Sequence, residues 1–140
     1  MPGRIAALDV GTARIGVAVS DDACRLSFPH STVHVSRGTD AVQEVGELLS
    51  SLGIVRVVVG WPLELDGQEG AAVKRTKQFI SQLKSRYPGL KFVPQDERLT
   101  SVAAENALVE MATQGSEKKN HVDAIAAHFI LEAYLARRKS

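Results

Sequence analysis

The sequence predicts an α/β protein with a five-stranded mixed sheet, in which three antiparallel strands are followed by parallel strands and helices flank the sheet. Two observations lead to this prediction. Near the start, two apolar runs are separated by a short connection that contains glycine, which is typical of a β-hairpin. Later, apolar runs alternate with segments of helical spacing, which is typical of helical crossovers between parallel strands. A length of 140 residues predicts one domain spanning residues 1–140.

Three antiparallel strands are expected first. Residues 5–10 and 15–19 carry the two apolar runs of the hairpin, and residues 25–35 suit a third strand. Pro29 lies in that third segment and has no backbone N–H to donate, so it predicts an irregular or edge strand.

The next elements alternate between helix and strand. Apolar side chains recur at helical spacing over residues 39–52 until Gly53, a residue type that commonly follows the last turn of a helix. Residues 54–59 form a nearly continuous β-branched run, as expected of a central strand covered on both faces. A second helix is predicted from 71 to about 87, and a fifth strand over 90–93.

Two more helices are predicted in the last third of the chain. An N-cap at Thr100 or Ser101 begins a helix that ends near Ala112, and a polar loop over 113–120 precedes the final helix. The apolar face of that final helix is expected to carry Val122, Ile125, Ala126, Phe129, Ile130 and Ala133.

This order of elements brings polar residues to one edge of the sheet. Helical crossovers join parallel strands, so the fourth and fifth strands are expected to run parallel to the first. Asp9 ends the first strand, Gly60 ends the fourth, and Asp96 and Glu97 follow the fifth. Since the carboxyl ends of parallel strands meet at one edge, these segments should come together there.

Asp9 interrupts an otherwise apolar strand. An ionised carboxylate in such surroundings costs several kcal/mol unless it is paired, hydrogen-bonded or bound to a metal. One interpretation is a turn-forming aspartate that accepts backbone N–H bonds from Gly11 and Thr12. The other is a ligand in a site shared with the acidic residues 96–97 and with Asp123, whose neighbours on the last helix are small.

Carboxylates from distant segments repel one another, and a divalent cation resolves that conflict. Mg²⁺ takes a few carboxylates and keeps positions for water and phosphate oxygens, which suits hydrolysis of a nucleic-acid backbone. Each carboxylate also has a structural alternative, because Asp123 would stabilise the first turn of a helix and residues 96–97 would pair with Arg98.

Four motifs resemble the YqgF/RuvX family and together span nearly the whole chain. They are Asp9-Val10-Gly11-Thr12-Ala13-Arg14-Ile15-Gly16-Val17-Ala18, Val58-Val59-Gly60-Trp61-Pro62 with Asp66-Gly67, Asp96-Glu97-Arg98-Leu99-Thr100, and Asp123-Ala124-Ile125-Ala126-Ala127. The resemblance implies a ribonuclease-H-like fold. It also implies a candidate nuclease that matures the 5′ end of precursor 16S ribosomal RNA, or a Holliday junction resolvase assigned by analogy of fold.

The resemblance also implies roles for individual residues. Asp9, Glu97 and Asp123 take the places of the three catalytic, metal-binding carboxylates, with Asp96 competing for the second place. The expected cofactor is Mg²⁺, with Mn²⁺ as an alternative.

Several other residues are expected to contact nucleic acid. Arg14 and Arg98 would hold phosphate oxygens or orient the carboxylates, and Gly11 is either a close-approach position or a plain turn residue. The remaining candidates are Gly67 and Gly70 in the loop before the second helix, Lys74 and Arg75 in its first turns, and Lys118 and Lys119 before Asp123.

Composition and length narrow the choice of cellular compartment and of protein class. A single cysteine, Cys24, favours a reducing compartment, and no apolar stretch approaches 18 residues, so a cytoplasmic protein without a membrane segment is expected. ATP-dependent phosphotransfer is disfavoured because such enzymes clamp nucleotide between two domains, and 140 residues supply only one. Three alternatives stay open. The protein is either a nuclease or a non-catalytic nucleic-acid-binding factor, its substrate is either RNA or branched DNA, and it is either a monomer or a homodimer.

Overall fold

The computed structural model describes residues 3–36, 38–64, 66–96 and 116–139, and within its final helix the side chains of residues 122–138. The strands are β1 (Arg4–Val10), β2 (Arg14–Ser20), β3 (Ser27–His34), β4 (Ile54–Trp61) and β5 (Lys91–Asp96), and the helices are α1 (Ala41–Ser51), α2 (Ala71–Arg86) and α3 (Ser116–Lys139). The predicted helix over 100–112 lies outside the described residues.

The strands form one sheet in the order β3-β2-β1-β4-β5. β1 pairs antiparallel with β2, and β2 pairs antiparallel with β3. β1 pairs parallel with β4, and β4 with β5. The predicted mixed sheet is therefore confirmed, and the carboxyl ends of β1, β4 and β5 lie at one edge, which we call the carboxyl edge.

Successive side chains of a strand point to opposite faces, so the sheet carries two cores. On one face, Leu8, Val57 and Leu83 belong to a buried cluster that joins the sheet to α1 and α2. On the other face, Ala7 and Ile130 belong to a second cluster that joins the sheet to α3. Each strand residue near the carboxyl edge can therefore be assigned to the α1–α2 face or to the α3 face.

The first two helices follow the sequence predictions closely. Asp40 caps α1 by accepting a hydrogen bond from the Gln43 N–H at 3.1 Å, and Gly53 follows the helix at φ +69°, a conformation that glycine adopts without strain. β3 is an edge strand whose pairing with β2 shifts register next to Pro29, as the missing N–H of proline predicts.

Two predictions about boundaries were wrong. β5 continues to Asp96, because its pairing with β4 extends to Trp61 instead of stopping near Val93. α3 begins at Ser116, so residues 116–120 are helical where a polar loop was expected. Asp123 is thus seven residues inside α3 and not in its first turn, which removes helix-dipole compensation as its explanation.

The buried face of α3 is rotated from the predicted one. Val122, Ala126 and Ile130 are buried as expected, whereas Ile125, Phe129 and Ala133 are only partly buried. The stripe instead continues through Ala127, Leu131, Tyr134 and Leu135. None of the described helices is long and apolar enough to cross a membrane.

Candidate active site

Asp9 lies at the carboxyl edge on the α3 face. It is two residues beyond Ala7, which packs against α3, and its own side chain is partly buried. Burial, and to a smaller extent the negative charge of Asp123, together raise the pKa of Asp9 to about 6. A carboxylate that is both desolvated and beside a second acid is poorly explained as a turn former, since no described hydrogen bond compensates its charge.

Gly16 brings α3 close to Asp9. It is the residue opposite Asp9 in the β1–β2 pair, and a Cβ on Gly16 would lie 1.9 Å from the backbone oxygen of Asp123. Only a residue without a side chain lets the helix backbone approach the strand so closely. The sequence analysis did not single out Gly16, although a glycine within an apolar strand is a known sign of close backbone approach.

Arg14 connects the hairpin to the helix. It lies on the same face of β2 as Gly16, and its Nε donates to Oδ2 of Asp123 at 2.5 Å. Both side chains are partly exposed, with 36% of Arg14 and 21% of Asp123 accessible. Of the two roles expected for Arg14, the structure displays the one in which the guanidinium orients a carboxylate.

Alternation along β5 separates its polar residues. Phe92 packs on the α1–α2 face and Val93 on the α3 face, so Gln95 shares the face of Asp9 and Asp96 points the opposite way. Asp96 is in register with Trp61, which also packs on the α1–α2 face. Glu97 and Arg98 lie outside the described residues.

Gln95 is a residue of this edge that the sequence analysis missed. It is 1% exposed, and its Oε1 has no hydrogen-bond partner among the residues that the structure covers. A buried amide oxygen without a donor costs about 1–3 kcal/mol, so the α3 face of this edge holds an acceptor as well as two acids. The sequence signal that could have identified Gln95 is a polar residue at a position of β5 that faces the core.

The described residues bring together Asp9, Asp123 and Arg14. Within the described ranges no cluster of three metal-ligating side chains occurs, and Asp9 and Asp123 are the two predicted ligands that those ranges contain on this face. Lys118 and Lys119 lie in the first turn of α3, and their side chains are outside the description.

The basic residues of α2 lie on the other side of the same edge. A cleft of about 550 Å³ is lined by Gly11 and Thr12 of the β1–β2 turn and by Arg75. The Nε of Arg75 is buried and lacks a hydrogen-bond partner among the described atoms. Lys74 and Arg75 also line a shallow groove along α2, so Arg75 borders both this groove and the cleft that begins at the turn after Asp9.

The three glycines expected to permit close approach all have contacts within the chain. The Gly11 N–H donates to the Arg14 carbonyl at 2.9 Å in the hairpin turn. Gly67 adopts φ +88° in a tight turn, and the missing side chain of Gly70 makes room for the Glu64 carboxylate. The Glu64 carboxylate therefore lies beside Gly70, the residue that precedes α2.

The sheet order, the two helical layers and the acidic pair at the carboxyl edge define a ribonuclease-H-like protein. RuvC of Thermus thermophilus, solved with a Holliday junction substrate, has the same fold, with a TM-score of 0.62, 17% identity, and coverage of 99% of this chain and 97% of that one.

The chain belongs to the RuvX family, whose model is described as "Holliday junction resolvase" and matches residues 3–137. A relative from Bartonella tribocorum is 35% identical over 98% of this chain and 88% of its own length. A second, from Chloroflexus aurantiacus, is 39% identical over 97% and 88%. Both carry the name "Putative pre-16S rRNA nuclease".

Proposed function

We propose that this protein is a metal-dependent nuclease that hydrolyses phosphodiester bonds, and that its role is 5′-end maturation of precursor 16S rRNA. The observation that carries the proposal is the placement of Asp9 beside Asp123 at the carboxyl edge, where burial and the negative charge of Asp123 raise the pKa of Asp9. Two neighbouring carboxylates do not stabilise the fold by themselves. A bound cation is therefore the simplest explanation for their placement.

The donor set fits a hard divalent cation. Asp9 and Asp123 supply carboxylate oxygens, Gln95 supplies a neutral oxygen on the same face, and oxygen donors are what Mg²⁺ and Mn²⁺ prefer. Asp9, Asp123 and Glu97 would hold the metal. When bound, Mg²⁺ activates water and stabilises the leaving oxygen of a phosphodiester.

The alternation along β5 supports Glu97 over Asp96 as the third ligand. Asp96 points away from Asp9, toward the face of Trp61. Glu97, the adjacent acid in the sequence, is therefore the candidate for the third ligand.

The chain's own residues have separable tasks in this reaction. Arg14 fixes one oxygen of Asp123, and the other oxygen, which accepts no hydrogen bond from a described residue, would bind the cation. Asp9 loses its proton near pH 6, so it is ionised at neutral pH. Arg75 would bind a backbone phosphate next to the scissile one, because the cleft that it lines begins at the turn that follows Asp9, and Lys74 would bind a phosphate in the adjoining groove along α2.

The names of the relatives support precursor rRNA as the substrate. The family description and the junction-bound structural neighbour support four-way DNA as the second candidate. The two differ in what they require, since symmetric resolution of a junction needs two active sites, as in a homodimer, whereas trimming one strand needs a single site.

A cleavage assay tests the proposal. Purified protein with Mg²⁺ is given a labelled precursor 16S rRNA leader and, separately, a labelled four-way DNA junction, and Asp9→Asn protein is the control. We expect Mg²⁺-dependent cleavage of the leader by the unmodified protein alone. Cleavage of the junction alone would establish the second candidate, and cleavage of neither substrate, with tight binding retained, would establish a non-catalytic binding factor.

A further inference from the structure

A small basic cavity lies at the opposite end of the sheet from Asp9. Its volume is about 180 Å³, and it is lined by Gly3, Ile5, Val55, Arg56, Lys91 and Arg138. The residues from β1, β4 and β5 are all near the amino ends of those strands, and Arg138 is in the last turn of α3. Three of the six lining residues are cations and none is an acid.

Tyr134 positions two of these cations. Arg56 Nη1 donates to the Tyr134 hydroxyl at 3.3 Å, and the Arg138 guanidinium lies 5.9 Å from the centre of the Tyr134 ring. The Tyr134 side chain is itself buried in the α3-side core. Arg56 is in register with Lys91 of the neighbouring parallel strand, so the third cation stands beside the first on the same face.

These cations have no acid to neutralise them among the described side chains. Arg56, Lys91 and Arg138 are absent from the ion pairs found among the described side chains, which include those of Arg4, Arg14, Lys77, Arg86 and His128. Three like charges around one small cavity repel one another, and a bound anion turns that repulsion into attraction. A bound anion would therefore supply the negative charge that the described acids do not bring to this cavity.

We propose that this basic cavity binds a phosphoryl group. Two guanidinium groups and an ammonium group match the charge and the several acceptor oxygens of a phosphate. The cavity is smaller than the roughly 300–1,000 Å³ of pockets that enclose whole small molecules, so it admits the phosphoryl group and leaves any attached nucleoside outside.

The phosphoryl group has two sources, a phosphodiester of a long nucleic acid or free phosphate. The cavity begins four residues before Asp9 along β1, about 13 Å at the strand rise. Arg138 is 15 residues beyond Asp123 along α3, about 22 Å at the helical rise. A strand held at the carboxyl edge would have to pass along the molecule by several nucleotides to reach it.

The first test measures thermal stability with inorganic phosphate, in chelator and at constant ionic strength against chloride. We expect 10 mM phosphate to raise the Tm of the unmodified protein by about 3 °C. Lys91→Gln with Arg138→Gln should abolish the shift, and Lys91→Arg should keep it. The matched control is Lys84→Gln with Arg25→Gln, which removes the same charge from exposed residues outside the cavity and should keep the shift.

The same variants test a merely structural role for the cations. If Lys91 and Arg138 only stabilise the fold, the double variant should melt lower without phosphate. If they are a ligand site, relief of repulsion should leave its phosphate-free Tm unchanged or higher. An equal phosphate shift in the unmodified protein and the double variant would overturn the proposal.

The second test identifies the source of the phosphoryl group by RNA-binding anisotropy, with Asp9→Asn in every protein to prevent cleavage. A loss of affinity of about 5-fold or more in the double variant, beyond that of the control pair, identifies the nucleic-acid backbone. Equal losses in the two, with the phosphate shift still specific, identify a free phosphate ligand. Neither readout uses cleavage, so failure of the proposed nuclease activity leaves both outcomes interpretable.

Discussion

At the scale of single residues, the carboxyl edge depends on two residues that are unusual in a buried β-hairpin. Asp9 places a carboxylate where the neighbouring strand residues are apolar, and Gly16 removes a side chain opposite it. The first creates a group whose pKa is raised by burial and by Asp123. The second lets α3 approach closely enough for Asp123 to reach that group.

Asp9→Asn separates metal binding from turn formation. Asparagine forms the same side-chain turn, so a turn-forming Asp9 predicts nearly full cleavage. A metal-binding Asp9 predicts a fall on the order of 10²–10³-fold, because the neutral amide is a weaker ligand. Single-turnover cleavage against Mg²⁺ concentration measures this, and full activity in a normally folded variant would refute the carboxylate–metal mechanism.

Gly16→Ala tests the close approach of α3. The added Cβ would meet the Asp123 backbone at 1.9 Å, so the helix must move, and we expect a loss of about 2–4 kcal/mol in the free energy of unfolding together with loss of cleavage. Gly89→Ala is the control, since a Cβ there meets nothing within 4 Å. Denaturant titration compares the two, and equal stabilities would show that α3 does not depend on Gly16.

At the scale of elements, strand alternation and helix position decide which charged residues can act together. β5 divides Gln95 from Asp96 between its two faces. α2 begins beside the carboxyl edge and carries Lys74 near its start and Lys84 near its end. Residues of the same type on one element thus have different expected roles.

The alternation of β5 predicts unequal effects of two neighbouring amide substitutions. Glu97→Gln should abolish Mg²⁺-dependent cleavage, whereas Asp96→Asn should leave most of it, because Asp96 points toward the α1–α2 face. Parallel cleavage assays at saturating Mg²⁺ check this. The reverse ranking would mean that Asp96 is the ligand.

The two ends of α2 predict different salt dependence. Lys74→Ala should weaken nucleic-acid binding and reduce the slope of log K against log salt by about 0.7–0.9, the value expected for one lost phosphate contact. Lys84→Ala removes the same charge from a position that is also exposed, at the far end of the helix, and should leave the slope unchanged. Binding isotherms at several salt concentrations distinguish them, and identical slopes would exclude this end of α2 as a backbone contact.

At the scale of the whole molecule, the two cores bring β1, β5 and α3 together at the carboxyl edge. In the metal-free protein this arrangement has an energetic cost, because it buries the Asp9 carboxylate beside Asp123. The pKa of Asp9 is about 6 in the folded chain, above the ordinary aspartate value of 3.8. The folded chain therefore keeps a proton that the unfolded chain releases between about pH 4 and pH 6. The contribution of the Asp9 carboxyl group to the free energy of unfolding therefore falls as pH rises through that window and is constant above it.

This sign predicts a stability difference that depends on pH. In chelator at pH 7.5, Asp9→Asn should be more stable than the unmodified protein by roughly 2–3 kcal/mol, an upper figure for a partly buried group. Near pH 4 the difference should vanish, because Asp9 is then protonated and neutral. Chemical denaturation at both pH values measures it, and a difference that does not change with pH would contradict the raised pKa.

The sequence by itself determined the strands, their parallel and antiparallel order and two of the helices, because those depend on local periodicity and on crossover geometry. It also singled out Asp9 and Asp123 as candidates, since a carboxylate among apolar residues is visible without coordinates. The tertiary structure decided what periodicity does not encode. The β5 pairing extended the strand to Asp96, packing rotated the buried stripe of α3, and cross-strand register placed Gly16 beneath Asp123. The Arg14–Asp123 pair, across 109 positions of the chain, exists only because those long-range contacts form.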